Sequence, residues 1–120
     1  MSSRKVQTFN DGILNIYSVG NIAEPGNMPK DGLTLKIGPL RFEERTVGMS
    51  RFWTAKQEQV KIDRLVRVPK HINVSTQDIA VINSEQYEIK QVQYPKDVEI
   101  PVMDLSLERL VQVYEIKGTT

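Results

Sequence analysis

The chain reads as an all-β protein: a small bulged antiparallel β-barrel with long loops and at most one short helix. Three observations lead there. Between residues 62 and 116, apolar and polar residues repeatedly alternate at period two in segments rich in β-branched side chains. Two longer segments, 33–42 and 86–94, switch the parity of that alternation partway, as a β-bulge requires. The apolar run Ile79-Ala80-Val81-Ile82 reads as a strand buried on both faces, and Asn83-Ser84-Glu85 after it turns the chain into a hairpin. Closing such strands into a barrel removes edges that would otherwise lie exposed.

The elements follow in chain order. Residues 1–10 are polar and read as a loose N-terminus. Residues 13–19, Ile-Leu-Asn-Ile-Tyr-Ser-Val, form a first strand. Residues 18–32 carry Gly20, Gly26, Gly32, Pro25 and Pro29 with little apolar content, and read as a long loop. Leu33, Leu35 and Ile37 share one parity and Leu40 and Phe42 the other, with a bulge or bend expected at Gly38-Pro39. Residues 49–60 lose the strand period, and Ser50 could cap a helix there, so the segment reads as an arm or a short helix.

Ile62, Val66 and Val68 give a strand that Pro69 ends. In the next hairpin strand, Tyr87 and Ile89 lie on one parity and Val92 and Tyr94 on the other, which places a bulge near Lys90-Gln91. Val98, Ile100 and Val102 alternate, and Pro101 confines that stretch to a sheet edge. The last segment fits a helix through Leu107, Leu110, Val111 and Tyr114, or a strand through Leu105, Leu107, Val111 and Val113. Its β-branched content favours the strand.

Composition sets the outer limits. A length of 120 residues suits one domain, 1–120, with a modest core. There is no cysteine, which excludes disulfides, thiol catalysis and cysteine-ligated zinc. The start Met-Ser-Ser-Arg-Lys lacks the apolar stretch of a signal peptide, and no apolar run reaches the roughly 20 residues of a membrane helix. A soluble intracellular protein is the expectation, and the sequon Asn73-Val74-Ser75 then has no glycosylating compartment to act in. The 16 basic and 15 acidic residues nearly balance, but not evenly along the chain. Residues 41–70 hold eight basic and four acidic side chains, whereas residues 78–115 hold eight acidic and three basic ones. Scatter over a solvated surface accounts for this, and so does a molecule with opposite faces suited to head-to-tail contacts. The basic excess is too small to indicate nucleic acid by itself.

No catalytic constellation emerges. His71 is the sole histidine, which rules out a histidine pair, and its place after Pro69-Lys70 reads as a solvated loop. Glu43-Glu44 is the one adjacent acidic pair, and on a strand its side chains point to opposite faces. The glycines of 18–32 do not match a phosphate-binding loop, and the carboxylates lack calcium-loop spacing. Arg51-Phe52-Trp53 with Lys56 is the most suggestive cluster, since aromatic side chains among basic ones anchor partners or stack on bases. Packing of Phe52 or Trp53 onto the barrel is an equally good account. An OB-like nucleic-acid-binding barrel remains a rival, with Tyr87 and Tyr94 as its strand aromatics.

The order of motifs in the later part resembles the small head-tail joining proteins, head-closure or adaptor subunits, of long-tailed bacteriophages. The resemblance runs through Arg45-Thr46-Val47-Gly48, Thr54-Ala55-Lys56-Gln57 and Ile62-Asp63-Arg64-Leu65-Val66-Arg67-Val68-Pro69. It continues with Ile72-Asn73-Val74-Ser75-Thr76-Gln77-Asp78-Ile79-Ala80-Val81-Ile82, Gln86-Tyr87-Glu88-Ile89 and Asp104-Leu105-Ser106-Leu107-Glu108-Arg109. It covers residues 41–110. It implies a non-enzymatic structural subunit of the virion neck, without cofactor or metal, assembling as a ring between the portal complex and the tail. Implied partners are further copies of itself, portal or adaptor proteins and tail proteins, with packaged DNA as an additional contact and no membrane. The implied location is the virion neck, with the host cytoplasm before assembly. Arg51, Phe52, Trp53, Lys56, Arg64 and Arg67 are the partner-interface candidates. Residues 18–32 have no counterpart in the family pattern, which leaves a tail-completion or terminator subunit as an alternative.

Overall fold

The structure, a computed structural model, describes residues 9–45, 62–96 and 98–117. Among the described residues, seven strands build one sheet: β1 (Gly12–Asn21), β2 (Asp31–Arg45), β3 (Arg64–Pro69), β4 (Ile79–Ile82), β5 (Glu85–Gln93), β6 (Val102–Arg109) and β7 (Glu115–Ile116). Their order is β1-β4-β5-β6-β3-β2-β7, and β1 also pairs with β2, so the first six close into a ring of antiparallel neighbours. The fold is all-β and barrel-like, with no helix among the described residues. The expected N-terminal stretch 1–10 is described only from Phe9 onward, and the expected arm 49–60 lies outside the described residues.

The ring encloses the main core. Leu14 and Ile16 of β1, Phe42 of β2, Val66 and Val68 of β3, Ala80 and Ile82 of β4, Tyr87 and Ile89 of β5, and Met103, Leu105 and Leu107 of β6 all point into it. The period-two alternation of each strand supplies those side chains, and burying each Val, Leu, Ile, Phe or Met among them contributes roughly 1.5–3 kcal/mol.

The bulges sit where the parity changes. Ile89 pairs with Leu107 and Gln91 with Ser106, so Lys90 is the extra residue and Val92 turns inward to the core. Leu14 pairs with Leu40 and Ile16 with Ile37, so the Gly38-Pro39 step absorbs one extra residue on β2. Gly38 has φ +154°, and a β-carbon there would lie 2.1 Å from Asn15 Oδ1, so glycine is required. A second irregularity at Lys36 is invisible in the alternation. Ile37 faces the core, but Leu35 and Leu33 pair with Tyr17 and Val19 on the outside. Asn83 and Ser84 both take positive φ, 50° and 69°, in the two-residue turn between β4 and β5. Such turns suit the twist of a tight hairpin.

Three expected boundaries move. β1 runs on to Asn21 and β2 starts at Asp31, so strands occupy much of 18–32 and the connection spans only residues 22–30. Asn21 Oδ1 accepts from the Ala23 and Lys30 backbone N–H groups, both at 3.0 Å, and organises that connection, while the Ile22 side chain lies against Gly32. Residues 98–100 are bends rather than an edge strand, and β6 opens at Val102. The last segment is a strand through Leu105 and Leu107 but leaves the sheet before Val111 and Val113.

Candidate functional site

Arg64 opens β3 at the rim where β2 ends and β6 finishes, paired with Leu107. That register turns its side chain toward the barrel mouth. The guanidinium lies over the Phe42 and Tyr87 rings, 5.6 and 5.5 Å from their centroids. It donates to Tyr87 Oη at 3.3 Å and, through Nε, to Glu44 Oε2 at 3.3 Å. The hydrogen bonding to Glu44 is the main cause holding its pKa above the ordinary arginine value. Tyr87 Oη in turn donates to Glu85 Oε2 at 2.9 Å, and Arg109 pairs with Glu85 at 3.1 Å. Arg64 therefore closes one end of the barrel and cannot swing to a partner without giving up both rings.

Arg67 faces the opposite way. It lies on the outer side of β3 and is only 8% exposed, bound to Asp104 of β6, itself 6% exposed. Nε donates to Oδ1 at 2.7 Å and Nη2 to Oδ2 at 3.1 Å, a bidentate pair between directly facing strand residues. Hydrogen bonding to Asp104, stronger than the opposing effect of burial, raises the Arg67 pKa. Leu65, Val102 and Ser106 share this outer face and are also buried. Arg67 is thus a structural cation. Arg51, Phe52, Trp53 and Lys56, the remaining interface candidates, lie outside the described residues.

A second apolar cluster, which the sequence only hints at, lies outside the ring. Leu33, Ile79 and Val81 are buried there, packed against Tyr17, Leu110, Tyr114 and Ile116. The covering layer is the segment after β6, which crosses the outer faces of β4 and β1 and joins β2 in parallel as β7. Gln86 holds this strap. Its Nε2 donates to the Tyr114 carbonyl and its Oε1 accepts from the Tyr114 N–H, both at 2.8 Å. Its backbone carbonyl accepts from Leu110 N–H at 2.9 Å, and Lys117 N–H reaches Leu33 O at 2.7 Å. The strap explains the unbroken apolar run of β4: Ala80 and Ile82 fill the ring while Ile79 and Val81 lie under the strap. That run was its one legible signal.

The remaining surface offers two regions. β4 leaves β1 at Tyr17, whereas the β1–β2 pairing continues to Asn21 and Asp31, so a ribbon of these two strands, flanked by β7 at Gly32 and Leu33, stands about 13 Å beyond the ring. Val19 and Leu35 are exposed on it, and Met28 lies at its tip, 86% exposed. The loops after β3 and β5 meet at the same end. Lys70 N–H donates to Pro101 O at 3.1 Å, and Lys70 Nζ lies 5.1 Å from the Tyr94 ring centroid. Ile72, Tyr94 and Ile100 are exposed on these loops. His71 is half-buried with Nδ1 shut off from solvent and unpartnered, so the expected solvated loop histidine is not what forms. Glu43 and Glu44 diverge as expected, with Glu43 bonded to Arg45 and Glu44 to Arg64.

Among the described residues, no group of three or more His, Asp or Glu side chains is placed to hold a metal ion, and no helix is long and apolar enough to cross a membrane. No family model matches the chain, and neither does any curated protein.

Proposed function

We propose that the chain is a non-enzymatic structural subunit of a phage neck, a head-closure or head-tail joining protein that assembles as a ring between portal complex and tail. The observation carrying this reading is where the motifs of the resemblance fall. The arginine-bearing segment is β3, the apolar run after Asp78 is β4, Tyr87-Glu88-Ile89 lies in β5 and Leu105-Ser106-Leu107 in β6. Each of these four motifs thus falls on one strand of a barrel-like wall, whose staples include the motif arginines Arg64 and Arg67. Residues 46–48 and 54–57 of the resemblance lie outside the described residues. The projecting ribbon gives the wall a surface for its neighbours. In this reading the protein sits in the virion neck, after assembly from the host cytoplasm, and touches copies of itself, portal-side and tail-side proteins, and packaged DNA.

The OB-like alternative draws little from the geometry. Tyr87 points into the core beneath Arg64, which removes one of its two expected stacking aromatics. The test is electron microscopy of particles assembled without this chain. Full or leaking heads separate from finished tails are expected. Normally joined virions would refute the neck role. Tails with irregular upper ends beside intact, closed heads would instead favour the tail-completion alternative.

A further inference from the structure

The ribbon carries two strand edges that pair with nothing among the described residues. On β1 the edge spans residues 18–21, past the last contact with β4 at Tyr17. On β2 it spans residues 34–37, between the β7 pairing at Gly32 and Leu33 and the Gly38-Pro39 step. Each is four residues long, and they lie on opposite sides of the β1–β2 pair, offset along it so that they overlap only where Ser18 faces Thr34. We propose that the β2 edge at 34–37 is a strand-addition site whose occupant is the β1 edge at 18–21 of a second copy of this chain.

Three features argue for that occupant. The β2 edge already receives a strand just above, since β7 pairs with Gly32 and Leu33, so the new pairing continues an interface the fold has built. β1 and β2 run antiparallel within one copy. Rotation about a ring axis preserves the order of strand directions, so β1 of the next copy meets β2 of the first antiparallel. A tilt of the strands against that axis supplies the shift of about 7 Å, two residues, that sets Val19 opposite Leu35. Donor and acceptor edges differ, which makes the contact heterologous, the kind that repeats around a ring. Pairing also brings Val19 of one copy and Leu35 of the next, both exposed in the single chain, onto one outer face. Backbone groups supply the recognition, as in strand addition generally. Pro39, which has no N–H, bounds the acceptor below, and β7 bounds it above.

The inference rests on the ring part of the proposed function. Because the chain has no cysteine, introduced thiols report single contacts. Full-length Gly20→Cys and Thr34→Cys chains are mixed in equal amounts at high concentration under mild oxidation. A β-carbon at Gly20 meets nothing within 4 Å, and Thr34 is exposed, so neither substitution disturbs the fold. The mixed disulfide is expected to form at least about tenfold faster than either homodimer, because edge pairing raises its effective concentration. Leu35→Lys on the Thr34→Cys chain is expected to remove that advantage with no change in thermal midpoint, since Leu35 is 55% exposed. Equal rates for all three disulfides, faster Gly20 homodimers, or indifference to Leu35→Lys would overturn the proposal. If particles lacking the chain show unjoined heads and tails yet the mixed disulfide has no advantage, this inference falls and the neck reading stands. If the advantage is present and the particles are normal, the neck reading falls and the edge pairing stands.

Discussion

Breaking the Arg67–Asp104 pair tests whether the motif arginine on β3 builds the wall or serves a partner. Arg67→Met keeps most of the side-chain volume but removes the guanidinium. Asp104, 6% exposed, then loses two hydrogen bonds of 2.7 and 3.1 Å and stays buried as an unpaired carboxylate. Removing one partner of such a buried pair costs about 3–5 kcal/mol, a large part of the roughly 5–15 kcal/mol that holds a domain folded. For 120 residues the unfolding entropy is about 0.25 kcal/mol/K, so the melting temperature should fall by roughly 12–20 °C. The double variant Arg67→Met/Asp104→Leu removes both charges and is expected within about 2 kcal/mol of the original chain. Urea unfolding followed by far-ultraviolet circular dichroism measures all three proteins. A single-variant cost below about 1 kcal/mol, or a double variant as weak as the single, would refute the structural role assigned to Arg67.

Three further outcomes follow from named contacts. Gly38→Ala places a methyl group against Asn15 and demands φ +154° of an L-residue, and should cost about 1–3 kcal/mol by denaturant melting. Gln86→Ala removes both side-chain bonds to Tyr114 and should free the strap, cutting stability by about 1–3 kcal/mol and speeding amide exchange at residues 110–117 before the ring opens. Burial opposes the charge of Lys90, but hydrogen bonds to Glu88 and Glu108 outweigh it, and the folded pKa lies above 10.5. Its stabilising contribution is therefore complete below pH 10.5 and disappears as pH rises through the folded value, so Lys90→Met should flatten the alkaline limb of a stability–pH curve.

Much of the wall was readable in advance because parity carries so much information about strands. The buried-run strand 79–82, the turn after it, and the bulges at Lys90 and at Gly38-Pro39 all leave direct traces in which side chains are apolar. The errors arise where another force replaced parity. Residues 18–21 and 31–32 lack apolar side chains on most positions, yet they pair because backbone bonds between two adjacent strands need no core. The bulge at Lys36 hid because Leu33, Leu35 and Ile37 alternate correctly while serving two different faces. Arg67 looked available because a bidentate partner 37 residues away in sequence is not visible locally. The strap escaped for the same reason, since its anchor is a polar glutamine whose two bonds go to backbone.

The lengths of the exposed edges bear on how the chain would stay single before the assembly proposed above. An open edge recruits any strand, and folds that survive at high concentration keep their edges short or interrupted. Here the ring consumes most edges, β7 occupies the top of β2, and the Gly38-Pro39 step interrupts it below, leaving four residues on each side of the ribbon. Four residues of ladder hold two free copies only briefly against the entropy lost on association, enough to bias disulfide formation at high concentration but not to keep a dimer on dilution. The balance changes when neighbours are already aligned on a shared platform, because each pairing then becomes effectively intramolecular and closure adds one more contact than an open chain of copies has. Short complementary edges thus favour a subunit that is monomeric when dilute and cyclic on a template, which is the behaviour that the proposed neck role needs.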